Sequence, residues 1–557
     1  MASRFTVFAA ILRNRTLLQL ELAVVLFAFG EWATWVAVIV YAYGRGGAAE
    51  AGVIAFLELA PSLFVVPAVA GLGDRVPRAV VLFGSYAVQA ILFAATALAL
   101  LMGPAPLVYL LAILSATAVS VPRPVHASFL PEVVAGPDEL TAANVVSGMA
   151  ESGGSLLGPL GAGILITLHG PELVFVTTAV LTLVAALLVA GQATRALRHR
   201  RAVATIAPDA AIDALPVEPG GIHGVLAGFE AIRADARLRS VVAVAVWATF
   251  LVGALDIFYA VLAIDLLGLG DGGVGVLGAI GGLGATLGAA AAILLVGRER
   301  LGVALGASAT LFGLAVAALA FVTGPLAAAA VLLSAGLGAG LTAVGAQTLI
   351  QRLAGDDVMS RVFGLIQGLM MGTTAVGALA VPVLVGLVGE RGAFAVAGLS
   401  LPIAFLLLGR AVLAADRLDP ERAADLRLLR GVPLFGPLSA PVLERLASAA
   451  VRVVEPAGTI VVRAGDAGDR FYVVRDGRLE VEVDGWRVRD LESGDGFGEI
   501  ALVRDVARTA TVRAVTDATL LGIDREPFLA ALTGQPRSRT MATELAASRL
   551  ADDRSRA

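Results

Sequence analysis

Through the first 415 residues, long apolar runs alternate with short polar loops. A helix needs about 20 apolar residues to cross the hydrocarbon core of a bilayer. Such runs fall at 17–43, 51–72, 79–102, 106–122, 140–168, 173–192, 239–267, 273–296, 301–322, 326–350, 362–388 and 393–414, which predicts twelve transmembrane helices. Glu31 interrupts the first run and no small-residue cleavage site follows it, so it reads as a span and not as a signal peptide. The widest polar gap, 193–238, divides the spans into six and six. It opens with Pro208, Pro216, Pro219 and Gly220–Gly221, a flexible linker. It closes with Val225, Leu226, Phe229 and Ile232 on one helical face, opposite Glu230, Arg233 and Arg237. That pattern predicts an amphipathic helix at the membrane surface.

Beyond residue 415 the period changes. Residues 416–440 are charged and helical in pattern, a connector closed by Pro433, Pro437 and Pro441. A short amphipathic helix carrying Val442, Leu443 and Leu446 follows. Then come β-branched runs at 451–454, 459–462, 471–474, 479–483, 511–515 and 519–523, punctuated by Gly458, Gly465, Gly468, Gly477, Gly485 and Gly494. Short strands between glycine turns predict a small antiparallel barrel or jelly roll. Residues 525–532 and 537–550 read as terminal helices. The predicted organisation is a six-helix half (1–192), a linker (193–238), a second six-helix half (239–415), a connector (416–440) and a β domain with its terminal helix (441–551).

Composition agrees with this division. The chain of 557 residues is 58% hydrophobic and 15% charged, against about a quarter charged in soluble domains. Of its 86 Asp, Glu and Arg residues, 42 lie in 1–415 and 44 in 416–557, so the average hides a membrane body and a soluble tail. Cysteine is absent, which excludes disulfides, zinc–thiolate sites and thiol nucleophiles. All 41 basic residues are Arg, which excludes Schiff-base and phosphate-loop lysines. A net charge of −4 argues against nucleic-acid binding through bulk charge. No nucleophile–base pair or metal-ligand cluster stands out, so no enzyme activity and no metal or cofactor are expected. No pore loop or voltage-sensing Arg series suggests a channel.

Arginine also fixes orientation. With both termini cytoplasmic, 18 of the 20 Arg residues of the body fall on the cytoplasmic side, with Arg45 and Arg391 outside. The tail is then cytoplasmic, on a multi-pass protein of the plasma (inner) membrane.

The two halves read as parallel repeats. At an offset of 219, Gly158 aligns with Gly377, Gly170 with Gly389 and Phe175 with Phe394. The loop after the second span, Gly71-Leu72-Gly73-Asp74-Arg75-Val76-Pro77-Arg78, resembles the cytoplasmic motif of the major facilitator superfamily. Asp74, Arg75 and Arg78 fit it, while Ala70 and Pro77 replace two of its glycines. Residues 131–159 and the linker helix resemble the siderophore- and macrolide-exporter branch. The resemblance implies a secondary active transporter, an exporter, with a small-molecule site at the interface of the halves. It also implies that Asp74, Arg75 and Arg78 form a cytoplasmic gate.

Charges within a bilayer are costly and usually face a cavity or a partner. Glu31, beside Trp32 and Trp35, and Asp256 lie near the middle of the first and seventh spans, which line the cavity in this family. Glu58 and Glu151 lie in the second and fifth spans. Arg123 and His126 end the fourth span, and Gln347 and Gln351 the tenth. Glu31 or Asp256 is expected to carry a proton or contact a cationic substrate; the alternative is a structural hydrogen bond or salt bridge. His126 reads as structural. Gly278, Gly282, Gly284 and Gly288, with Gly336, Gly338 and Gly340, read as close helix packing rather than a phosphate loop.

In the tail, residues 496–514, GFGEIALVRDVARTATVRA, resemble the phosphate-binding cassette of cyclic nucleotide-binding domains. Phe497, Gly498, Glu499, Ile500, Ala501, Arg508 and Thr509 match; Ala507 stands where the family has Pro. The resemblance implies that Arg508 binds the cyclic phosphate. The Ile500 and Ala501 N–H groups would face the same anion, and Glu499 would accept from the ribose 2′-hydroxyl. The expected ligand is a cyclic nucleotide, cAMP in preference to cGMP. Met541 and Leu545 would supply a lid over the base. The bland alternative is a barrel that binds nothing. For the whole chain, the alternatives to a nucleotide-regulated transporter are a membrane-anchored sensor without transport, or a transporter of cyclic nucleotides.

Overall fold

The computed structural model describes residues 14–61, 76–134, 137–206, 229–230, 232–292, 300–353, 359–414, 420–436, 438 and 440–533. The chain forms two compact units, Met1–Asp416 and Arg417–Ala557.

The first unit is all helical. In chain order its helices are α1 (Arg15–Leu59), α2 (Arg78–Met102), α3 (Ala105–Val119), α4 (Pro122–Val133), α5 (Pro137–His169), α6 (Pro171–Ile206), α7 (Ala236–Ala260), α8 (Asp271–Ala291), α9 (Leu301–Ala318), α10 (Pro325–Leu353) and α11 (Met359–Ala414). A single π-helical turn, Val261–Leu266, continues α7. Asn14 caps α1 by accepting from the Leu17 N–H, and Asp235 caps α7 through Arg237.

Two expected spans are fused in each of α1 and α11. Non-helical Gly46 and Gly47 break α1, and Gly389 breaks α11. Among the described residues, nine helices are long and apolar enough to cross a membrane. The Gly- and Ser-rich α5 is not among them. One boundary is corrected. The expected fourth span stops at 122, whereas α3 runs on into α4, and a single apolar segment covers Ala105–Val133. Arg123 and His126, expected at the end of that span, therefore lie inside this segment, on α4. Of the linker pattern, Ile232 is buried and Phe229 exposed; Val225 and Leu226 lie outside the described residues, as do Asp74 and Arg75.

The aligned repeat positions have equivalent surroundings. A Cβ on Gly158 would lie 2.9 Å from the Phe29 carbonyl and 3.1 Å from the Ala33 nitrogen. One on Gly377 would lie 2.0 Å from the Phe250 carbonyl and 3.1 Å from the Ala254 nitrogen. Thus α5 crosses α1 as the first arm of α11 crosses α7, and only a residue without a side chain allows the approach. Gly170 and Gly389 both have positive φ, +100° and +75°. Phe175 and Phe394 are both buried. Between the halves, a Cβ on Gly275 of α8 would meet the Pro159 carbonyl of α5 at 2.2 Å. The expected close packing of the eighth and tenth spans is present, with Gly284 against Leu333 and Gly288 against Leu337.

The second unit opens with helices α12 (Pro420–Gly431) and α13 (Ala440–Ala449). Eight strands follow: β1 (Val451–Glu455), β2 (Ile460–Val462), β3 (Arg470–Asp476), β4 (Leu479–Val483), β5 (Trp486–Leu491), β6 (Gly496–Phe497), β7 (Thr511–Ala514) and β8 (Ala518–Asp524). They form two four-stranded antiparallel sheets, β1-β8-β3-β6 and β2-β7-β4-β5. Strands β5 and β6 were not expected. Helix α14 (Glu499–Arg504) interrupts the strands, and α15 (Arg525–Thr533) follows β8. Phe435, Phe471 and Phe528 pack on one another, with Phe471 and Phe528 stacked at 4.7 Å. The connector helix is fastened to the barrel because buried Asp425 accepts from Arg452 at 2.7 Å and pairs with Arg475 at 3.4 Å. The expected lid residues Met541 and Leu545 lie outside the described residues.

Candidate functional site

Two groups of residues carry chemistry, one in each unit. In the β unit, Phe497 ends β6, and Gly498 turns the chain with φ +94° into the six-residue α14. No Cβ fits at Gly498: it would sit 2.5 Å from Arg508 Nη1. A pocket opens there. All seven expected cassette residues, Phe497, Gly498, Glu499, Ile500, Ala501, Arg508 and Thr509, line it. Glu499 and Arg508 are buried.

Arg508 is held before any ligand arrives. Its guanidinium donates to the Arg470 carbonyl at 2.8 Å, to the Gly498 carbonyl at 3.2 Å and to Asp469 Oδ1 at 3.2 Å. Backbone carbonyls fix the fork without neutralising it, and the pairing carboxylate is largely solvent-exposed. A buried guanidinium so arranged keeps its charge for an anion. Behind it, Tyr472 stacks on Phe497 at 5.2 Å. Burial, then the Asp469 carboxylate, raises the Tyr472 hydroxyl's pKa. Opposite the cassette, Val462, Val481, Val512 and Arg489 complete the lining. Arg489 was not singled out from sequence, because its strand was missed.

In the membrane body, Arg123 of α4 gathers two of the expected carboxylates. It donates to Glu31 Oε1 at 2.8 Å and to Glu151 Oε1 at 2.9 Å, with second contacts at 2.7 and 2.5 Å. The guanidinium also lies 6.0 Å from the centre of the Phe27 ring. Asp256 is not part of this cluster; the Trp35 side chain of α1 lies beside it, across the halves. Trp35 follows Glu31 by one helical turn, so the two acidic sites share a face of α1. Glu58 is buried, and its Oε2 has no hydrogen-bond partner among the described residues.

Two further polar contacts were missed from sequence. His126 Nε2 lies 3.8 Å from Glu21, which accepts from Ser147 at 2.9 and 3.1 Å. At the far end of the body, Tyr43 of α1 donates to Asp265 in the π-helical turn. Of the expected gate, Arg78 is described: it donates to Glu132 at 2.5 Å and to the Ser128 carbonyl at 3.0 Å, joining α2 to α4. Among the described residues, no cluster of acidic and histidine side chains could hold a metal ion.

Comparisons with known proteins follow this division. The Major Facilitator Superfamily profile matches residues 20–374, and the cyclic nucleotide-binding domain profile matches 452–535. A cAMP-dependent protein kinase regulatory subunit of Schizosaccharomyces pombe is 38% identical over 120 residues, 20% of this chain and 29% of that protein. A cGMP-dependent protein kinase of Plasmodium berghei is 37% identical over 75 residues, 14% of this chain and 9% of that protein. The chain thus spans under a third of these relatives. A solved regulatory domain of Toxoplasma gondii PKA with cAMP is 31% identical, covering 21% of this chain and 46% of that one at a TM-score of 0.20. The profile match over more than half of the sequence, with the buried Arg508 cassette behind it, makes the chain a member of the major facilitator superfamily that carries a C-terminal cyclic nucleotide-binding domain.

Proposed function

We propose that the chain is a twelve-span secondary active exporter of the plasma (inner) membrane, regulated by a cyclic nucleotide. Both termini and the β unit lie in the cytoplasm. Counting each glycine-broken helix as two spans and adding α5 raises nine candidate spans to twelve. The arginine asymmetry supports the orientation.

The observation that carries the regulatory reading is Arg508: buried, charged, held by backbone carbonyls and lining a pocket. The phosphate of a 3′,5′-cyclic nucleotide is the anion it fits, and the Schizosaccharomyces pombe relative is a regulatory subunit of a cAMP-dependent protein kinase. Glu499 takes the ribose 2′-hydroxyl. Nucleotide acts on transport only by binding one conformation of the whole chain better than another. Just five residues, 415–419, separate the last helix of the body from α12, which Asp425 fastens to the barrel.

For the cargo, Glu31, Glu151 and Arg123 sum to one negative charge, and Asp256 adds another. This favours a cationic small molecule, with Glu31 or Asp256 exchanging a proton for it. Asp74, Arg75 and Arg78 would form the cytoplasmic gate. Everted vesicles loaded with the protein test this through uptake of tetraphenylphosphonium driven by a proton gradient. Uptake that falls in Glu31→Gln or Asp256→Asn supports the reading. Uptake equal to that of empty vesicles, or unchanged in both variants, contradicts it.

A further inference from the structure

We propose that His126 and Glu21 form the path by which the coupling proton passes between the Glu31–Arg123–Glu151 cluster and the cytoplasm. This rests on the reading that the body exchanges a proton for its cargo, and it reverses the structural role expected of His126 from sequence.

Glu21 and Glu31 both belong to α1, ten residues and about 15 Å apart along its axis. With the start of α1 cytoplasmic, Glu21 is the nearer to that side. Helices α4 and α5 span the gap. His126 follows Arg123 by three residues on α4, and Ser147 precedes Glu151 by four on α5, so each pair shares a helical face. Arg123 joins Glu31 to Glu151. One turn nearer the cytoplasm, His126 Nε2 lies 3.8 Å from Glu21 Oε1, and Ser147 donates to both Glu21 oxygens at 2.9 and 3.1 Å.

The groups around His126 come from three helices. Glu21 of α1 and Glu151 of α5 act on its level by charge, as does Arg123 on its own helix. Tyr86 of α2 lies within electrostatic reach of both Glu21 and Glu151. Arg78 of α2 pairs with Glu132 further along α4. The Tyr86 hydroxyl and His126 Nε2 are buried with no hydrogen-bond partner among the described residues.

The second half is an internal control. The Gly158 and Gly377 crossings make Phe29 of α1 the counterpart of Phe250 of α7. On that register Glu21 and Glu31 correspond to Val242 and Val252, and in α11 Ser147 and Glu151 correspond to Ile366 and Met370. Helix α10, the counterpart of α4, has no histidine, and its one charged residue, Arg352, lies in its last turn. The repeat therefore folds without these groups, although burying them is costly. A line of proton carriers from Glu31 toward the cytoplasmic end accounts for that cost.

Imidazole suits the transfer because it accepts on one ring nitrogen and donates from the other. An O–H bond of the cluster's protonated carboxyl breaks as an N–H bond forms on His126. The opposite N–H bond breaks as an O–H bond forms on Glu21, after a small ring rotation closes the 3.8 Å gap. Glu21 releases the proton to the cytoplasm, and a ring flip restores the first tautomer.

Tetraphenylphosphonium uptake into everted vesicles tests the path. The medium bathes the cytoplasmic face, so at a constant proton gradient its pH reads the release step. Acidifying the medium should slow uptake by the unaltered protein. His126→Gln and Glu21→Gln should each lower proton-driven uptake roughly tenfold or more and flatten that dependence. Tetraphenylphosphonium binding to the detergent-solubilised variants should stay unchanged. Uptake unaltered in both variants overturns the proposal, as does a loss of uptake matched by an equal loss of binding. Should either Gln variant fail to fold, Glu21→Asp decides: a displaced medium-pH dependence supports the path, and an unchanged one overturns it. If the unaltered protein takes up no more than empty vesicles, the transport reading fails and the path with it.

Discussion

Arg123 and Glu31 meet in two contacts, at 2.8 and 2.7 Å, between the fourth and first helices of the membrane body. The same guanidinium holds Glu151 of the fifth. One cation thus offsets two carboxylates within the bundle. Arg123→Ala should lower the melting temperature in detergent, because it leaves two acidic groups facing each other. Adding Glu31→Gln should recover part of the loss. With Arg123 partly open to solvent, the coupling is expected to be on the order of 1 kcal/mol. Strictly additive single and double variants would show that the contact contributes nothing.

In the proposed site, Arg508 takes the cyclic phosphate and Glu499 the ribose hydroxyl. Arg508→Ala should weaken cyclic nucleotide binding by about a hundredfold or more, since it leaves the phosphate buried without its cation. Glu499→Ala should weaken it about tenfold, the cost of one hydrogen bond to a charged group. Calorimetry on the full-length protein measures both, and unchanged affinity in Arg508→Ala contradicts the site.

Gly377 and Gly84 provide a matched pair for packing. A Cβ on Gly377 meets the Phe250 carbonyl at 2.0 Å, whereas Gly84 has open space. Gly377→Ala should cost roughly 1–3 kcal/mol as α7 and α11 are forced apart. Gly84→Ala should change the melting temperature little. Equal effects would contradict the close crossing.

Much of this was legible in the sequence, for reasons that single residues make clear. Gly158, Gly170 and Phe175 aligned with Gly377, Gly389 and Phe394 because close crossing, positive φ and core burial each admit few residue types. The cassette was legible because Gly498, Glu499 and Arg508 each meet a separate demand at fixed spacing. Arg123 was placed at a helix end because charge lowers local hydropathy, and hydropathy alone set the boundary; what offsets the charge, Glu31 and Glu151, is remote in sequence. Strand β5, WRVRDL, was missed because an edge strand with three charges lacks the apolar alternation of its neighbours. Arg489 was lost with it. The contacts of Asp256 with Trp35 and of Tyr43 with Asp265 join the two halves, a relationship no local pattern records.

In the proposed function, nucleotide binding in the β unit shifts the conformational balance of the transport body. Because the chain has no cysteine, Ala49→Cys and Leu269→Cys can be spin-labelled without background. Both positions are exposed, one in each half, on the proposed outer face. Pulsed electron–electron resonance on the full-length protein then reads the distance between the halves with and without saturating cyclic nucleotide. Nucleotide should shift the population between two distances, and Arg508→Ala should abolish the shift. A distribution unchanged by nucleotide, in protein that calorimetry shows to be loaded, would contradict it.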